Sequence, residues 1–319
     1  YIRMSFLFSF LPNGLGGELI KGLASVRNMR EVIKEFKRKF FPEADLEVID
    51  SRSNEVVLLF KGPMAYSCCS HDYLEDFLII LDQKEPGWSV DEFEEVVVES
   101  ERFLLLKLVN NRAKLLDEIK RLKFSVGEIV KERMEEFREI RAKGEKEIFK
   151  ELCFCLLTAN FSAERSIRIQ EEIGDGFILW SEDKLRKELK RLGHRYPEKR
   201  AEYIVKARES LGYLGNLINS GRSGKEIREE LVKRIKGLGY KESSHFLRNI
   251  GFEDVAIIDR HILNVLRDYD LIREIPRSLT RRRYLQIEKI LERIAEEGGL
   301  SLGELDLYLW YIKTGKILK

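Results

Sequence analysis

The chain has 319 residues, 44% hydrophobic and 35% charged, which suits about two domains with cores of their own. Its net charge of +2 conceals an asymmetry: residues 1–110 carry 13 Lys/Arg against 19 Asp/Glu, and residues 111–319 carry 44 against 36, so the rear is the part suited to a polyanion. Four cysteines fall in two close pairs, Cys68/Cys69 and Cys153/Cys155, a spacing that argues against both a disulfide framework and a zinc finger and fits a reducing, intracellular compartment.

In chain order, "SFLFSFL" at 5–11 is too short to span a bilayer, and no persuasive cleavage site follows it, so a cytoplasmic location is expected. Met29 opens a well-patterned helix, which makes residues 1–28 an extension ahead of the first domain. Residues 29–110 then read as a small α+β domain: a helix over about 27–41, strands at "ADLEVID" and "NEVVLLF" around the turn "SRSN", a helix at "YLEDFLIILDQ", and strands at "EEVVVES" and "RFLLLKLV". Between its halves, Cys68, Cys69, His71 and Asp72 are weighed as metal ligands. Adjacent cysteines constrain that geometry badly, and a helix N-terminus capped by Ser70 or Asp72 is preferred. From 111 the texture changes to long amphipathic helices separated by glycine turns. Residues 111–319 are read as one all-α domain. Within it, Cys153 and Cys155 read as buried small apolar residues.

Chemistry enters at "VKRIKGLGYKESSHFLRNIGF". One helix ends at Gly237 and another begins near Lys241, a helix-hairpin-helix in which Gly237 and Gly239 permit positive φ and leave amides bare for a DNA phosphate. Eighteen positions after Lys241, "VAIIDRHIL" carries one ionisable group in an apolar run, Asp259, and the antiparallel return of the chain brings the two close. An amine and a carboxylate at a hairpin mouth suit attack on a deoxyribose C1′. A lysine at its reference pKa is only about 0.04% neutral at pH 7, so the chemistry demands a neighbourhood that favours the free amine. These residues equally allow Lys241 to hold a phosphate and Asp259 to cap the next helix.

Three blocks, "LLTANFSAERS" at 156–166, "KGLGYKESSHFLRNIGFEDVAIIDRHIL" at 236–263 and "DLYLWYIKTGKILK" at 306–319, resemble the helix-hairpin-helix DNA glycosylases, most closely the archaeal type-2 8-oxoguanine DNA glycosylase/AP lyases. The fold expected is therefore an α+β N-terminal domain followed by an all-α helix-hairpin-helix DNA glycosylase domain. The resemblance implies that Lys241 is the Schiff-base nucleophile and Asp259 the catalytic carboxylate. It implies that Trp310 stacks on an everted base, and that Lys319, with its carboxylate, helps recognise it. Tyr196 is a candidate for the opposite wall of this pocket and Asp306 a further candidate lining residue. Arg260 and His261 are candidate DNA contacts. By residue type alone, Trp310 fits a core and Lys319 a frayed tail; His245 reads as structural, and Arg281, Arg282 and Arg283 as a solvated face.

The function expected is bifunctional base excision repair: flipping and excising 8-oxoguanine from double-stranded DNA, then cleaving the strand by β-elimination. The chemistry calls for no metal or organic cofactor, with hairpin carbonyls a candidate seat for a monovalent cation. A monomer in the cytoplasm, associated with the nucleoid, is expected. The rivals are the same mechanism on another damaged base and a non-catalytic helix-hairpin-helix DNA-binding protein.

Overall fold

The computed structural model describes residues 24–52, 54–85 and 87–319, and the side chains from Met29 on. The chain divides into two compact units. The first reaches Asp117 and takes in Tyr269–Leu271; the second holds Glu118–Asp268 and Ile272–Lys319. The stretch 5–11 and most of the extension 1–28 lie outside the described residues; 24–28 form the start of α1 (Ala24–Phe40).

In the first unit α1 is followed by β1 (Asp45–Ser51), β2 (Glu55–Lys61), α2 (Ser70–Lys84), β3 (Trp88–Val98) and β4 (Glu101–Asn110). The strands form one antiparallel sheet in the order β1-β2-β4-β3. Period-2 alternation puts Val56, Leu58 and Phe60 on the same face as Leu104, Leu106 and Leu108, where they meet Met29, Val32 and Phe36 of α1 and Phe77 of α2. Phe36, Phe60 and Phe77 pack edge to face, with centroids 5.3 to 5.7 Å apart.

Two expectations change here. The strand expected over 94–100 begins at Trp88, because a register shift between Val90 and Glu92 interrupts the alternation that marks a strand. Helix α2 starts at Ser70 with Cys69, not Ser70 or Asp72, in the capping position and no side-chain cap; the Cys69 amide donates instead to Ser67 Oγ. Cys68 and Cys69 are exposed, with sulfurs 3.7 Å apart, and among the described residues no group of three or more His, Cys, Asp or Glu could hold a metal ion.

The 32-residue α3 (Asn111–Ala142) leads into α4 (Glu145–Thr158), whose residues from Glu151 to Thr158 are all buried. A helix apolar on every side belongs in the middle of a bundle. Around it lie α5 (Ala163–Ile173), α6 (Gly176–Leu179), α7 (Glu182–Arg191), α8 (Pro197–Ala207), α9 (Tyr213–Ile218), α10 (Gly224–Arg234), α11 (Tyr240–Asn249), α12 (Arg260–Asp268), α13 (Arg281–Gly298) and α14 (Leu302–Thr314). Hydroxyl caps begin many of these helices: Ser162, Ser181, Ser223, Thr280 and Ser301 each accept the amide three residues on. Cys153 and Cys155 are buried, and burial pushes both thiols well above their ordinary range. No described helix is long and apolar enough to cross a membrane.

Candidate active site

The hairpin joins α10 to α11. Gly237 has φ +97°, and a Cβ there would lie 2.4 Å from Tyr203 Cδ2 and 3.1 Å from Leu156 Cδ2, so both the turn and its close approach require glycine. Buried Leu238 pins the turn from inside. Gly239 differs from the expectation of positive φ. Its φ of −92° and ψ of −171° are ordinary extended backbone, because it serves as the N-cap of α11. Its amide is not bare: it donates to Glu242 Oε2 at 3.3 Å, so a phosphate at this helix start would replace a carboxylate already there.

Lys241 stands on the first turn of α11 with its side chain about a quarter exposed. Its nearest acidic partner among the described residues is Glu242, at 3.9 Å. The loop 252–259 returns to bring Asp259 into the same cavity, of about 840 Å³, which His245, Asp306, Trp310 and Lys319 also line. Asp259 Oδ1 accepts the Ile262 amide at 2.9 Å, so the carboxylate caps α12 as well as facing the cavity.

Three buried side chains hold that return in place. Tyr284 of α13 donates its hydroxyl to Ala256 O at 2.6 Å and accepts from the Ile258 amide at 3.3 Å. Glu288, one turn along, accepts the Ala256 amide at 3.0 Å and takes both Arg228 terminal nitrogens at 2.6 and 2.7 Å. Arg228 also donates to Ser244 Oγ on α11 at 3.1 Å. Helices α10, α11 and α13 and the loop before Asp259 are thus joined by one polar network, which ties the helix of Lys241 to the loop that carries Asp259.

A family model for 8-oxoguanine DNA glycosylase matches residues 130–300, more than half of the chain. The chain belongs to the 8-oxoguanine DNA glycosylase family. The 8-oxoguanine DNA glycosylase/AP lyase of Korarchaeum cryptofilum is 57% identical over 206 residues, covering 64% of this chain and 98% of that protein. The crystal structure of the Methanocaldococcus jannaschii 8-oxoguanine glycosylase/lyase with a 15mer DNA containing 8-oxoguanine aligns with a TM-score of 0.63 at 53% identity, over 65% of this chain and all of that one. The 8-oxoguanine DNA glycosylase of Thermotoga maritima aligns with a TM-score of 0.62 at 46% identity, over 65% of this chain and all of that one.

In this glycosylase, the structure brings five of the six residues expected at the reaction and the base into one cavity: Lys241, Asp259, Trp310, Lys319 and Asp306. Tyr196 does not join them. It caps the start of α8, 37% exposed, with Arg195 over its ring at 5.2 Å. The nearby group that does line the cavity is Phe161, whose ring is tilted 37° to that of His194 with centroids 4.2 Å apart. His194 donates from Nε2 to Leu157 O and accepts the Tyr196 amide at Nδ1, a neutral tautomer that burial favours by lowering its pKa.

Asp306 is buried 3.5 Å from Arg248, and burial, with the Asp259 charge adding and Arg248 and Lys241 opposing, pushes its carboxyl up to about 7. His261 packs its ring edge-on against Trp310 at 4.5 Å, whereas Arg260 is exposed. Arg260, Arg165 and Arg195 line a shallow basic depression that shares Asn160, Phe161 and Ser162 with the cavity. His245, read as structural, lines the cavity. Burial, reinforced by the charges of Arg248 and Lys241, holds it well below the usual imidazole range; the Lys319 backbone opposes the shift, although neither ring nitrogen makes a hydrogen bond of normal geometry. Sequence reasoning also missed Arg228, Tyr284 and Glu288. Their only signal was a charged or hydroxyl group at an inward helical position.

Proposed function

We propose that this protein excises 8-oxoguanine from double-stranded DNA and cleaves the strand at the resulting abasic site, with Lys241 as nucleophile and Asp259 as its carboxylate partner. The neutral Lys241 Nζ bonds to C1′ as the bond from C1′ to the base breaks, and the base leaves with the electron pair and takes up a proton. Asp259 stabilises positive charge on the sugar during that displacement. Ring opening gives the Schiff base; loss of a C2′ proton then expels the 3′ phosphate. No step draws on a metal or organic cofactor. Trp310 supplies a stacking face for the everted base. Oxidation turns guanine N7 into an N–H donor, which an acceptor on Lys319 recognises. Arg260 and the basic depression beside the cavity meet the DNA backbone, and the substrate places the enzyme with the cell's DNA.

The observation that supports this reading is the shared cavity: an amine and a carboxylate, carried by a helix and by the loop that follows it, face one space beside the indole ring of Trp310. Borohydride reduction tests it. Wild type is expected to form a covalent complex with an 8-oxoguanine duplex and Lys241→Gln none. Absence of the complex in wild type, or its survival in Lys241→Gln, overturns the mechanism. A panel of other damaged bases separates 8-oxoguanine from its rivals.

A further inference from the structure

The buried helix α4 carries one charged residue among its buried positions, Glu151, at 2% exposure. A carboxylate in such a place needs partners, and it has three side-chain donors. Asn249 Nδ2 of α11 reaches Oε1 at 2.7 Å, and Gln170 Nε2 of α5 reaches Oε2 at 3.1 Å. The third donor is Lys319 Nζ, 3.1 Å from Oε2. The same ammonium donates to Gln170 Oε1 and lies 4.7 Å from the centre of the Phe154 ring. Lys316, three residues earlier, pairs with Glu164 at the start of α5. The segment after α14 is therefore fastened at two points, and Leu318 and Lys319 line the reaction cavity from that position.

We propose that Glu151, with Gln170 and Asn249, is a socket for the Lys319 side chain, and that Glu151 is a positioning residue for recognition of the damaged base. The inference rests on the reading of Lys319 as part of the base pocket. The ammonium is committed to the socket and cannot also reach a base. What the socket presents to the cavity is the main chain of the last residues, held at a fixed depth beside Trp310. Because Asn249 lies on the helix of Lys241, one carboxylate references the base-reading segment to the nucleophile's helix. A lysine suits the role: its long stem spans from the cavity wall to the centre of the bundle, and its charge offsets that of Glu151.

The test compares two duplexes, one containing 8-oxoguanine and one containing a preformed abasic site, which has no base to recognise. Glu151→Gln is expected to slow single-turnover release of 8-oxoguanine about tenfold or more, as for loss of a charge-assisted hydrogen bond, while borohydride trapping on the abasic duplex stays near wild type. Lys319→Met, which keeps the stem and removes the ammonium, is expected to reproduce the loss on 8-oxoguanine, and the double variant to be no worse than the poorer single one. Unchanged base release in both variants, additive losses, or a parallel fall in abasic trapping by Glu151→Gln would each overturn the socket. Should Glu151→Gln fail to fold, Lys319→Met alone decides by the same loss or its absence. Failure of wild type to trap at all strikes the proposed mechanism, a result distinguishable from failure of the socket.

Discussion

Asp306 shows how a single residue can carry two opposed demands. It faces Arg248, which favours the carboxylate, but it is buried near Asp259, and its pKa rises to about 7. A carboxyl raised in the folded state binds its proton more tightly there than in the unfolded chain. Its contribution to stability is therefore greatest at low pH and declines from the ordinary Asp value, near 4, up to about 7. Denaturant unfolding of wild type and Asp306→Asn across that window is expected to show wild type losing stability relative to the variant as pH rises, then levelling. A difference that is flat between pH 4 and 7 would show that Asp306 ionises like an exposed carboxylate. Lys241 and Asp259 were legible as a pair because the motif puts them on one short contiguous block. Asp306 was legible only as a neighbour of Trp310 on α14, and nothing in its local sequence announces the burial that shifts it.

At the scale of elements, the placement of Asp259 depends on a loop without regular structure, residues 252–259, held by side chains of α13. Tyr284→Phe removes the hydroxyl that serves Ala256 O, Ser244 Oγ and the Ile258 amide, leaving buried polar groups unpaired. It is expected to cost about 1–3 kcal/mol in urea unfolding and to slow 8-oxoguanine release by displacing Asp259. Glu288→Ala strands a fully buried Arg228 and is expected to cost more, about 3–5 kcal/mol. Equal stability in both variants would remove this network from the account. Many helix positions could be read from amphipathic period and glycine turns, whereas the one hydroxyl or carboxylate cap expected, Ser70 or Asp72, gave way to Cys69. The network could not be read so: Arg228 and Glu288 are 60 residues apart, and each alone resembles a solvated helix position. The same holds for Glu151 and Lys319, 168 residues apart. Tyr196 is the converse case, a local pattern that suggested a pocket wall for a residue that sits partly exposed at the start of α8 and does not line the cavity.

At the scale of the molecule, the family likeness and the charge fall on the same part. About two thirds of this chain spans nearly the full length of the Korarchaeum relative, and residues 111–319 carry the excess of basic residues. A fragment of residues 111–319 is expected to retain borohydride trapping on the 8-oxoguanine duplex, with affinity falling steeply as salt rises; loss of trapping in a folded fragment would assign the front unit a part in the reaction. By itself, the sequence pointed to a change of texture near residue 111, to the hairpin, and to Lys241 and Asp259 as a pair that the fold brings to one cavity. Those features depend on local period, turn chemistry and a contiguous motif. Only the tertiary structure decided which polar residues are buried together: the Arg228, Glu288 and Tyr284 network behind Asp259, the raised Asp306 carboxyl, and the Glu151 socket around Lys319. Burial is a property of packing among distant segments, and it turns an ordinary charged side chain into one that must find a partner.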